Sequence, residues 1–269
     1  MALYPRRGNS QKSVEHSNGK KVFREVSKGS LFQYLPYVIL FIVIIVMGIS
    51  LPYFLTFRNF TNILRQSSSL AIMAMGITLV LIAGGMDISI PAVMALSGIL
   101  GSMFIVNGGN TLIGILIMLT VGSFLGAVNG LAVAYLKMVP FVVTLSMQAI
   151  ATGASVWMTR NISISGLPEV YIDVFTGNIF GIPLSFIYIL VVGILLWVVM
   201  KRSIAGRWLY SVGINVKTAK VSGIPGDLVV FFTYLASGFM AGVAAILITA
   251  RLESASPTMG EEGVVLNVM

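Results

Sequence analysis

The run from Leu70 to Val106 is apolar apart from one interruption, LIAGGMDISIP at residues 81–91. As one helix its 37 residues would reach ~55 Å at ~1.5 Å per residue, too far for a single pass through a bilayer core of about 30 Å. Two passes with a break at 84–89 fit. Gly84-Gly85 can release the first helix, Asp87 or Ser89 can cap the next, and Pro91 is tolerated in a first turn, where its missing N–H is no loss. Backbone freed inside a membrane must be buried in protein or line a water-filled cavity. An aspartate at depth costs about 2.5–3.5 kcal/mol on insertion scales, so it needs partners or a purpose. Asp87 therefore reads either as a buried cap, satisfied by N–H groups of the restarted helix, or as a pathway residue. The two readings are compatible, since broken helices often frame a translocation route. A passive anchor would need neither.

The remaining sequence repeats the apolar theme. The chain is 57% hydrophobic and 10% charged, with a mean hydropathy of +0.96, far from a water-soluble domain. About seven stretches meet the ~20-residue spanning criterion: near 35–55, 62–84, 90–106, 111–136, 141–159, 184–200 and 229–250. The expected fold is an all-α polytopic membrane protein, a helical bundle with broken membrane helices, embedded in the lipid bilayer. Residues 1–30 form a polar tail with seven Lys/Arg against two Glu, and residues 31–269 the membrane domain. The run 35–55 is too long for a secretory signal core and reads as an uncleaved first span.

Charge sets the orientation. With the N-terminus cytoplasmic, the tail cations fall inside with Lys137, Lys201, Arg202, Arg207, Lys217 and Lys220, whereas Arg58, Arg65, Arg160 and Arg251 fall outside. That is thirteen against four, as the positive-inside rule requires. Glu169, Asp173, Glu253, Glu261 and Glu262 fall outside. Topology thus accounts for the net charge of +8, and no nucleic-acid partner is called for. The chain has no cysteine, and its one histidine, His16, lies in the tail. No metal site or catalytic constellation is expected. No Gly-x4-Gly-Lys-Ser/Thr phosphate loop occurs, and Gly19-Lys20 is followed by Lys21, so ATP chemistry would belong to another subunit.

Two further segments stand out. Gly122, Gly126 and Gly130 recur every four residues in VGSFLGAVNG, and Gly238 and Gly242 do so in SGFMAG. Small residues let helix backbones approach in lipid, so these spans are expected to pack closely. The stretch 202–227, RSIAGRWLYSVGINVKTAKVSGIPGD, is too polar to span. Its apolar positions Trp208, Leu209, Val212, Val216 and Ala219 suit short amphipathic helices. By composition they would lie on the headgroups or, less favoured, dock another protein.

Three stretches, GITLVLIAGGMDISI, AVNGLAVAYLKMVPFVVTLSMQAIATG and GRWLYSVGINVKTAKVSGI, resemble in order and spacing the ribose-type sugar permeases of bacterial ABC importers. The resemblance covers the chain from about Asn59 to its last residue. In that family the first motif usually continues with Val-Gly, where this chain has Ile90-Pro91. The resemblance implies a permease of the bacterial inner membrane that works as a pair with a second permease copy, homodimeric or heterodimeric. It implies an ABC ATPase subunit bound on the cytoplasmic side, which hydrolyses the ATP, and an extracytoplasmic binding protein that delivers a sugar; no cofactor is bound by this chain. Gly84, Gly85, Asp87, Ser89, Asn129, Pro140, Phe141 and Thr144 match the family's membrane motifs and are expected to shape helix breaks around the pathway. Gly206, Arg207, Gly213, Asn215, Ala219 and Gly223 match its ATPase-docking loop. Family members continue past a segment like EGVVLNVM into a second Gly-Gly motif and further spans, so the C-terminal part of the domain is expected to lie beyond Met269.

Two other readings compete. An ABC permease for branched-chain amino acids or nucleosides would share the architecture. An ion-coupled secondary transporter would suit the broken helix but usually carries several ionisable groups at depth, where this sequence has Asp87.

Overall fold

A computed structural model describes residues 34–260. The tail expected at 1–30, with His16, lies outside the described residues, as do Glu261 and Glu262. The chain divides into two units, 1–59 and 60–269.

In the first unit, helix α1 (Tyr34–Ser50) is an apolar helix of 17 residues. It stops at Ser50 rather than running to 55 because a residue ahead of proline, here Leu51 before Pro52, is pushed out of the helical region. Asn59 Nδ2 then donates to the Phe54 carbonyl at 2.8 Å, and the Thr56 hydroxyl to the Tyr53 carbonyl at 2.7 Å.

The second unit holds most of α2 (Phe57–Ile82), then α3 (Ile90–Val106), α4 (Thr111–Ala134), α5 (Pro140–Thr159), α6 (Glu169–Thr176), α7 (Leu184–Arg202), α8 (Ile204–Ile214), α9 (Val216–Val221) and α10 (Gly226–Leu252). Helices α2, α4, α5, α7 and α10 are long and apolar enough to cross a membrane, and α1 and α3 are shorter apolar helices. Each of the seven expected spans thus corresponds to one helix. Two-residue strands form antiparallel pairs, β1 (Ile164–Ser165) with β4 (Ser254–Ala255) and β2 (Asn178–Ile179) with β3 (Ile182–Pro183).

The centre of the unit is the contact between α4 and α10. A Cβ added at Gly122 would strike the Gly238 carbonyl and lie 2.9 Å from the Gly242 nitrogen. One added at Gly126 would strike the Tyr234 carbonyl and lie 2.9 Å from the Gly238 Cα. The two glycine series noted in the sequence are therefore each other's partners, backbone against backbone. Around them lies a core of Ile72, Met73, Met94, Ile99, Ala244 and Ile248, each no more than 1% exposed. Helix α3 is apolar on every side and accordingly buried on every side, with 13 of its 17 residues in the interior.

Residues assigned by charge to the same face also meet. Lys137, after α4, and Lys220, in α9, hold the two carboxylate oxygens of Asp227 at 2.6 and 3.2 Å. At the other end of the bundle, Arg65 donates to Asn178 Oδ1 at 2.9 Å. Helix α6 is an element the sequence pattern does not announce. Its Tyr171 is buried, donates to the Ile246 carbonyl at 3.0 Å and lies 2.7 Å from Thr249 Oγ1. Burial pushes that phenol above its ordinary titration range, so it remains a hydrogen-bond donor and ties α6 to α10.

Candidate functional site

The break between α2 and α3 is built by its two glycines. Gly84 takes a left-handed φ of +79°, a conformation that costs glycine nothing. Its N–H bonds the Leu81 carbonyl at 3.0 Å, and the Gly85 N–H bonds the Val80 carbonyl at 2.9 Å. This pair of bonds is the Schellman arrangement, which satisfies carbonyls orphaned at a helix end. Gly85 is needed for a second reason: a Cβ there would lie 2.7 Å from Tyr234 Oη. The Tyr234 hydroxyl in turn donates to the Met86 carbonyl at 3.1 Å, holding the connecting strand against α10.

Helix α3 then begins at depth. Ile90 packs beside Gly76, since a Cβ on that glycine would be 3.1 Å from Ile90 Cδ1. Gly76 lies six residues before the end of α2, or ~9 Å along the helix. The chain therefore passes the end of α2 and turns back into the bundle before α3 starts. Pro91 sits in the first turn as expected.

Asp87 is 3% exposed, and its carboxylate is fully engaged. Oδ1 accepts the Ser89 N–H at 3.1 Å and the Ser89 hydroxyl at 2.6 Å, and Oδ2 accepts the Ser237 hydroxyl of α10 at 2.7 Å. Asn129 of α4 donates through Nδ2 to Ser89 Oγ at 2.9 Å. This corrects the capping expectation. The one N–H that Asp87 takes is that of Ser89, just ahead of α3, and Ser89 itself has helical dihedrals and makes no side-chain cap. The carboxyl group works as a knot: it joins the head of α3 directly to α10 and, through Ser89, to α4. Low dielectric strengthens such hydrogen bonds. Asn129 Oδ1 stays buried without a hydrogen-bond partner among the described residues.

Of the eight residues matching the membrane motifs, Gly84, Gly85, Asp87, Ser89 and Asn129 thus converge on one place. Pro140, Phe141 and Thr144 do not join the knot. Pro140 opens α5, and Phe141 stays 49% exposed on that helix. Thr144 is buried and turns its hydroxyl to the Pro140 carbonyl at 3.0 Å. Tyr234 and Ser237 were missed. The available signal was Ser237 at the head of SGFMAG, whose glycines bring α10 against α4.

In 202–227 the expected short amphipathic helices form as α8 and α9. Leu209, Val212 and Ala219 are buried as expected, but Val216 is 42% exposed, because it opens α9 at a bend. Gly206 fits against the Met200 carbonyl, and Gly213 against the Ile82 carbonyl at the end of α2. Asn215 caps α9, accepting from the Lys217 and Thr218 N–H groups at 2.9 and 3.2 Å. Gly223 closes α9 with φ +78°. Five of the six expected docking residues therefore build the loop itself. Arg207 faces outward, as do the apolar Ile214 and Val221, 87% and 91% exposed.

Residues 59–268 match the family model described as "Branched-chain amino acid transport system / permease component". The chain is 36% identical over 228 residues to the ribose import permease protein RbsC of Bacillus subtilis, covering 84% of this chain and 71% of that one. It is 33% identical over 230 residues to the D-allose transport system permease protein AlsC of Escherichia coli, covering 85% and 71%. It is 33% identical over 195 residues to the fructose import permease protein FruF of Bifidobacterium longum, covering 71% and 55%. No solved structure matches the chain. With its all-helical membrane bundle and these relatives, the chain belongs to the ribose-type sugar permease family of ABC importers.

Proposed function

We propose that this chain forms the translocation pathway for a small sugar, delivered by an extracytoplasmic binding protein and driven by an ATPase subunit docked on 202–227. The observation that carries the reading is the match of residues 59–268 to a permease family, with ribose and allose permeases among the relatives. A second permease copy completes the pathway, the N-terminus is cytoplasmic, and ATP is hydrolysed on the partner. The knot of Asp87, Ser89, Ser237 and Asn129 supports the same reading, because it gives a turned-back membrane helix a defined anchor that a rocking bundle can carry as one piece. Pro140, Phe141 and Thr144 set the start of α5 rather than touch cargo. On the docking loop, Arg207, Ile214 and Val221 present the outward surface, and the glycines and Asn215 hold its shape.

The test is affinity purification of the chain from its native membranes in mild detergent, with mass spectrometry of what accompanies it. An ATPase subunit is expected with the native chain and expected to be lost from an Arg207→Glu/Ile214→Asp variant, which leaves the packed glycines untouched. Recovery of the chain without any ATPase overturns the importer reading. Equal recovery with both chains overturns the docking surface.

A further inference from the structure

Helix α5 carries two polar side chains that its own backbone does not absorb. Elsewhere along it, Thr144, Ser146, Ser155 and Thr159 turn their hydroxyls to the carbonyl four residues back, at 2.8–3.0 Å. Such a bond is how a hydroxyl hides in an apolar environment. Thr152 does not make it. Its hydroxyl and the Gln148 side-chain amide have no hydrogen-bond partner among the described residues. Thr152 is exposed and Gln148 half-buried.

The two residues lie one helical turn apart on neighbouring positions of the same face. Gln148 is ~12 Å and Thr152 ~18 Å along α5 from Pro140, within the middle of a bilayer core of about 30 Å. An unpaired amide facing hydrocarbon there is strongly disfavoured, and polar groups at such depth face protein or water. Helix α7, long and apolar enough to span a membrane, is the comparison. Its exposed mid-span residues, Leu190, Val191, Ile194, Leu195 and Val198, are apolar without exception. The face of α5 breaks that pattern where lipid would tolerate it least.

The chemistry of the face also narrows its occupant. Gln148 offers two donors and an acceptor, and Thr152 one donor with an acceptor. From Pro140 to Thr159 the helix has no ionisable side chain, so nothing on it would balance a carboxylate or an ammonium. Amide and hydroxyl with no charge beside them suit a neutral molecule bearing several hydroxyls.

We infer that Gln148 and Thr152 form a hydrogen-bonding step in the translocation pathway, taken by a neutral polyhydroxylated cargo as it crosses the membrane. This rests on the permease reading above and assigns α5 as a wall of its pathway.

The natural absence of cysteine makes the test direct. Gln148→Cys and Thr152→Cys each place a single thiol in the chain, with Ile194→Cys on α7 as the lipid-facing control. Membranes holding the complete importer are treated with a charged, membrane-impermeant methanethiosulfonate. A thiol ionises and reacts in water rather than in hydrocarbon, so Thr152→Cys and Gln148→Cys are expected to label on the order of ten-fold or more faster than the control. D-ribose, D-allose or D-fructose, supplied with the importer's binding protein, is expected to slow that labelling, and L-leucine is not. Thr152→Val and Gln148→Leu should lower the initial uptake of the protecting sugar several-fold, with the co-purified ATPase unchanged.

Labelling no faster than at Ile194→Cys overturns the proposal. So does an oxidative cross-link between two Gln148→Cys chains, which would make this face a contact between permease copies. Protection by L-leucine alone, or by none of the sugars, overturns the cargo class. In each case retention of the ATPase shows that the permease reading stands and that the assignment of α5 has failed.

Discussion

Helices α3 and α7 are both apolar around their whole circumference, yet they end in opposite surroundings. The interior takes 13 of the 17 residues of α3, whereas Ser185 is the buried residue of α7. Hydropathy cannot separate them, because lipid is as apolar as a protein core and offers no hydrophobic drive for one helix to enter the bundle. Size separates them. Helix α3 carries Ala92, Ala95, Ser97, Gly98, Gly101 and Ser102, which let neighbours approach. Helix α7 carries Leu, Val, Ile and Trp along its exposed length. In this chain a helix is buried where it is small, and it is exposed where it is large.

Five substitutions would sharpen or break that comparison. The largest effect is expected for Gly101→Leu in α3, whose side chain would run into Met118 and the Gly114 carbonyl. Overpacking there should cost about 3 kcal/mol or more, read as loss of the monodisperse peak in size-exclusion chromatography. Gly193→Leu in α7, where a Cβ meets the flexible tip of Met75 at 3.2 Å, should run normally. If the two behave alike, size does not decide burial. Next comes Ile99→Ala, at a wholly buried site in α3, with an expected loss of about 2–4 kcal/mol in denaturant-induced unfolding. Ser237→Ala leaves Asp87 Oδ2 without its donor and should cost about 1–3 kcal/mol. An unchanged midpoint would mean the knot does not bear on α3's position. The smallest effect belongs to Ile194→Ala on the exposed face of α7, within about 0.5 kcal/mol. A loss comparable to that of Ile99→Ala would mark α7 as covered by protein.

Much of this architecture was legible from residue order. The break announced itself because Gly84, Gly85, Asp87, Ser89 and Pro91 each have a known use at a helix end. The glycines of α4 and α10 announced close packing through their four-residue spacing, although not that they would pack on each other. What stayed hidden depends on distance along the chain. Ser237 stands 150 residues from Asp87, and an isolated serine carries no mark of the carboxylate it will meet. Helix α6 has eight residues and takes its stability from Tyr171 reaching α10, a contact with no local signature. A motif match assigns residues such as Thr144 to a stretch and not to a face. The same match passed over Gln148 and Thr152, which differ from their neighbours in having no backbone carbonyl to satisfy them.

The knot also has a history within each molecule. A ribosome adding about 5–20 residues per second takes ~8–30 s to travel from Asp87 to the serine that completes its coordination. Asn129 is made before Ser237, so the donor to Ser89 exists before the donor to Asp87 Oδ2. The knot is complete only once α10 has been synthesised.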